Sequence, residues 1–127
     1  MIAGDARIRL VVLAVEPNDA IAGDPTPDTV SATFIRQGLL AVTVPRVGDR
    51  IDPESMGERV GRHFARSPQV TAVEHRLGDG RSTVPVAYVL VRLDVNVVTE
   101  AMIADFEADG YRTRQRRDPA GGALATL

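Results

Sequence analysis

Cysteine and lysine are both absent from the 127 residues. Without cysteine there are no disulfides, no thiolate nucleophiles and no Cys-ligated zinc or iron-sulfur site. Without lysine there is no Schiff-base chemistry and no Walker phosphate loop. All fifteen basic residues are arginine, a bias that a G+C-rich genome produces unaided. Aromatics make up only 4% of the chain, with three Phe, two Tyr and no Trp, so a core has to be built from Val, Leu, Ile and Ala. No apolar run is long enough to cross a membrane as a helix, and the first residues lack the basic-then-apolar pattern of a secretory leader. The expectation is a soluble cytoplasmic protein with no membrane partner.

The net charge of −2 gives no global electrostatic case for binding nucleic acid. No G-x-S-x-G, H-E-x-x-H or dinucleotide fingerprint occurs, and no motif calls for a cofactor. A 44% hydrophobic chain of this length fits one domain with a real core. We place that domain at residues 1–117 and a flexible tail at 118–127.

What is present is organised around residues 84–93, V-P-V-A-Y-V-L-V-R-L. Val84, Val86, Tyr88 and Leu90 fall on one side of a strand, and Ala87, Val89, Val91 and Leu93 on the other. Both rows are apolar, so this strand should lie inside a sheet and be covered on both faces. Residues 7–15 read as an earlier strand, and residues 16–28 as a loop rich in proline and acids. Asp19, Asp24 and Asp28 in that loop lack the alternating spacing of a calcium-binding EF-hand loop. Residues 29–35 fit a strand or a short helix; after Gly38, residues 39–44 read as a buried strand.

A helix is expected from Asp52, with Asp52 as N-cap, Pro53 at the first position and Met56, Val60 and Phe64 along its apolar row, ending at Ser67-Pro68. A strand at 69–77 follows, with a hairpin through Gly78-Asp79-Gly80. A second helix, capped near Asn96 or Thr99, carries Val98, Met102 and Phe106 and stops at Gly110 before a last strand at 111–116. From residue 39 the order is strand, helix, strand, strand, helix, strand. That order resembles a ferredoxin-like fold: an α+β domain with a mainly antiparallel sheet, two helices on one face, and here an extra N-terminal strand. The alternative is a small β-barrel with an inserted helix. A one-sided helical layer leaves the second row of the 84–93 strand to be covered by the extra N-terminal segment or by a second copy; of the two the second copy is preferred, so a homodimer is expected.

Chemistry-bearing residues are few. His63 borders the apolar face of the first expected helix and reads as a packed or exposed side chain. His75, near a strand end before the glycine turn, is the candidate for a general base, with Asp79 or Asp49 as carboxylates that only tertiary contacts could bring to it. Its neighbour Glu74 points to the opposite side of a regular strand. The same His75 and Asp79 are the most that a metal could find, and no metal is expected. Arg112, Arg114 and Arg116, followed by Arg117, form the densest basic row, able to contact phosphates or to guard an edge strand. No aromatics are interleaved with them as stacking platforms.

The leading expectation is a non-catalytic binding or assembly module that self-associates through its sheet and binds a protein or small ligand. The first alternative is a small enzyme or ligand-binding protein with a site at His75 and the 78–80 turn. The second is a nucleic-acid accessory protein using the 112–117 arginines.

Overall fold

The computed structural model describes residues 6–17, 29–78 and 85–115. It is an α+β structure with one open, mixed five-stranded sheet and two short helices. The strands are β1 (Ala6–Glu16), β2 (Thr29–Ala41), β3 (Val70–Arg76), β4 (Val86–Asp94) and β5 (Arg112–Gln115), arranged β3-β4-β1-β2-β5. The helices are α1 (Pro53–Met56) and α2 (Glu100–Ala108). No helix among the described residues is long and apolar enough to cross a membrane.

β1 occupies the centre of the sheet, antiparallel to β2 and parallel to β4. Its sequence explains the position: Leu10, Val12 and Ala14 face one way, Val11 and Val15 the other, and all are buried. The chain order from β2 onward is the expected one. Three of the four strand pairings are antiparallel, as expected, and β1 with β4 makes the one parallel pairing; the N-terminal strand is the middle of the sheet rather than an addition. The barrel alternative is corrected outright, because β3 and β5 form the two outer edges and do not pair with each other.

The principal core lies between the sheet and the helices. Leu10, Val12, Phe34, Val89 and Val91 pack there with Met56, Val60, Met102, Phe106 and Tyr111. Phe34 and Phe106 stack with ring centroids 3.9 Å apart, and Tyr111 meets Phe106 edge-on at 5.2 Å. The opposite side of the sheet carries a second cluster of Val11, Ile35, Tyr88 and Leu90. Leu90 is 1% exposed and Tyr88 7%. Apart from half-buried Val86, the described residues of both rows of the 84–93 stretch are therefore hidden from solvent, as expected, and they are hidden within a single chain.

The first expected helix is cut short. Asp52 does cap it, its Oδ1 accepting from Glu54 N at 3.1 Å, and Pro53 takes the first helical position. The helix stops after Met56 because Gly57 takes φ +139°, a value that leaves the helical region. A separate 3-10 turn, Val60–His63, follows. Asp109 from the end of α2 fixes this break, its Oδ2 accepting from Arg59 N at 2.8 Å and Val60 N at 2.7 Å. α2 is capped by Thr99, whose Oγ1 accepts from Met102 N at 3.1 Å, and Gly110 at φ +93° ends it as expected.

Residues 39–44 also depart from expectation. They are the fraying end of β2 and the bend after it, with Leu40 63% and Val42 81% exposed. Gly38 is a bulge inside β2 rather than a boundary. Ile8 pairs with Leu39 and Leu10 with Arg36, so Gln37 and Gly38 together oppose Arg9 alone.

Candidate functional site

That bulge borders a cavity. Two residues against one force β2 to bow away from β1, and Gly38 supplies the left-handed φ of +77° at the bend. The cleft that opens has a volume of about 540 Å³, within the range of small-molecule sites. It is bordered by the first residues of β1 and β4 and the last residues of β2 and β3.

Its charge is one-sided. Arg7 and Arg9, two residues apart on β1, and Arg76 at the end of β3 all line it. No Asp or Glu is among the described lining residues, and no ion pair involves these three arginines among the described residues. Glu74 is the nearest acid in register, paired with Tyr88 across the strands, but it is exposed and makes no described ion pair with Arg9 or Arg76. Like charges brought to one cleft repel each other, and a bound anion would convert that repulsion into attraction.

Tyr88 holds two of the three in place. Arg9 Nη1 donates to the Tyr88 hydroxyl at 2.7 Å, and the Arg9 guanidinium carbon lies 5.4 Å from the ring centroid. Arg76, on the strand at the other side of β4, approaches the same ring at 6.0 Å. Each contact is worth about 0.5–1 kcal/mol at a partly exposed site, and neither uses up the fork of donors that recognises an oxyanion. The rest of the lining includes Ile8, Leu39, Leu40, Pro85 and Val86.

His75 lies nearby but outside this cleft. It is exposed and lines a smaller neighbouring cavity of about 230 Å³ together with Arg7 and Arg76. No carboxylate is among that cavity's described lining residues, and no described group hydrogen-bonds to the His75 ring. Asp79, its expected companion, lies outside the described residues. Asp49 is engaged elsewhere, its Oδ2 accepting from Arg46 N at 2.8 Å in the turn before α1. His63 reaches Asp105, with Nε2 2.9 Å from Oδ2, and sits 5.9 Å from the Phe106 ring as a packing residue between the 3-10 turn and α2.

The arginine row falls at the opposite edge. Arg112 pairs with Ile35 and Arg114 with Thr33 on β5, while Arg116 lies outside the described residues. The two described members share the sheet face of the second apolar cluster but do not line the cleft. No three His, Asp or Glu side chains among the described residues come together as a group able to hold a metal.

Sequence reasoning passed over the cleft. Its one local signal is the R-x-R at the start of β1, which puts Arg7 and Arg9 on the same face of the strand. The third arginine arrives from 67 residues later in the chain, by the numbering 76 − 9, through the β3-β4-β1 pairing. No protein-family model, curated protein or solved structure matches this chain.

Proposed function

We propose that the protein is a non-catalytic binding module whose ligand is a small molecule carrying a negative charge, held in the cleft of Arg7, Arg9 and Arg76. The observation that carries this reading is three guanidiniums lining one cavity with no carboxylate among its described lining residues. The non-catalytic part rests on the same lining, among whose described residues there is no His, Ser, Thr, Asp, Glu or Tyr able to serve as nucleophile or general base. An enzyme site at His75 would need a partner to orient the ring, and none is seen among the described residues.

The test is stabilisation by ligand. A ligand that binds only the folded state at a hundred times its Kd raises stability by about 2.7 kcal/mol. Small carboxylates and phosphates should raise the thermal midpoint of the wild type, and the pair Arg9→Gln with Arg76→Gln should abolish that rise. A midpoint that responds to no anion, or equally in both proteins, would refute the reading.

Self-association through the sheet is the second part of the proposal, on grounds other than an uncovered apolar row of the 84–93 strand. The row that asked for a second copy is buried within one chain. The outer edge of β3 is the better reason: beyond Val70, which bonds to Gly48 and Asp49, no strand among the described residues pairs with it. Edge-to-edge pairing of two copies would satisfy it, and light scattering showing a monomer at every concentration would dismiss it.

A further inference from the structure

The described lining of the cleft joins three arginines and Gln37 to several apolar side chains, and that combination specifies more than charge. Ile8, Leu39, Leu40, Pro85 and Val86 share the cleft with the three arginines. Leu40 is 63% exposed, an apolar side chain left in water at the wall of a cavity. Ile8 and Leu39 also pack on the principal core and Val86 on the second cluster, so an inorganic anion or a short polar acid would leave chiefly Leu40 and Pro85 in water. We infer that the ligand is an amphiphilic anion, with a carboxylate or phosphate head on the arginines and an aliphatic body against Leu39, Leu40, Pro85 and Val86. This rests on the reading of the cleft as an anion site and adds the body of the ligand to its head.

The geometry supports the head and the body separately. Arg7 and Arg9 project from alternate positions of one strand, and Arg9 is fixed by Tyr88. An oxyanion between Arg9 and Arg76 therefore meets guanidiniums that are already oriented, so less side-chain freedom is lost on binding. The body gains by burial, at about fourfold in affinity for each methylene taken fully out of water. A volume of about 540 Å³ leaves room for a chain of several methylenes beyond the head.

The experiment is a calorimetric titration of the full chain with acetate, butanoate, hexanoate, octanoate, octyl phosphate and octanol, all below micelle-forming concentrations. Affinity should climb from acetate to octanoate by at least tenfold overall, and octanol should bind at least tenfold more weakly than octanoate. Octyl phosphate against octanoate names the head group, since the tighter of the two identifies it. Leu40→Ser should flatten the chain-length dependence while leaving acetate unchanged; Arg9→Gln should weaken octanoate at least tenfold. Arg76→Gln, at a more exposed position, gives the same readout if the Arg9 variant misfolds. Equal affinity for acetate and octanoate overturns this inference and leaves the anion site standing. Octanol binding as tightly as octanoate, or no binding by any of the six, overturns both.

Discussion

Raising the pH above 10 should destabilise this protein through Tyr111. The side chain is 3% exposed, with its hydroxyl donating to Met56 O at 2.7 Å. Burial pushes the phenol up to about 12 from its ordinary 10; the Arg36 charge and hydrogen bond pull it down and the Asp109 charge pushes it up. The folded state thus keeps a proton that the unfolded chain releases above pH 10. The stabilisation is complete below pH 10 and is lost as pH rises toward 12. A single group with this difference removes roughly 1.4 kcal/mol by pH 11 and roughly 2.3 kcal/mol by pH 12. Tyr111→Phe has no proton to lose there. Below pH 10 it should cost only about 1 kcal/mol, because Met56 O retains the Arg36 Nη1 donor at 3.1 Å and is not orphaned. Urea denaturation of both proteins between pH 8 and pH 12 should give stability curves that cross near pH 11, with unchanged m-values. Curves that stay parallel over that range would refute the reasoning.

The other predictions concern the joint between the two helices and the bulge. Asp109→Ala removes acceptors from two backbone donors of the broken helix and should cost about 3 kcal/mol by urea denaturation. Gly57→Ala forces φ +139° on an L-residue and drives its Cβ into the Asp109 carboxylate, so a loss above about 2 kcal/mol is expected. Combined with Asp109→Ala, it should cost clearly less than the sum of the two single changes. Thr99→Ala should cost about 1 kcal/mol through the lost cap of α2. Gly38→Ala meets no atom within 4 Å of its Cβ, and its φ of +77° alone should cost about 1 kcal/mol.

The parts of the fold legible in the sequence are those governed by neighbours along the chain. Asp52-Pro53, Thr99 and Gly110 mark helix ends by local chemistry, and they stand where that chemistry puts them. The two-sided burial of residues 87–91 follows from alternation alone. Which strand takes the middle of the sheet is another matter, because β1 and β4 both carry apolar rows on two faces and periodicity does not rank them. The length of the first helix was hidden for a related reason: Met56, Val60 and Phe64 keep helical spacing, but the break is stabilised by Asp109, 49 residues beyond Val60. Gly38 shows the ambiguity of an isolated glycine, which can end a strand or bulge it. The cleft depends on that bulge and on Arg76 crossing two strand pairings to meet Arg9. His75 and the 112–117 arginines stood out by type and density. The structure groups Arg7, Arg9 and Arg76 instead, because charge in a cavity depends on which acids are absent from its lining.

A chain whose basic side chains are all arginine offers a direct view of its anion site. Guanidinium Nε–H resonances can be followed one by one by NMR as octanoate is added. Arg7, Arg9 and Arg76 should shift together and saturate at one equivalent, while Arg112 and Arg114 at the far edge stay still. Shifts that grow without saturation on all the arginines alike, or that avoid those three, would contradict the account.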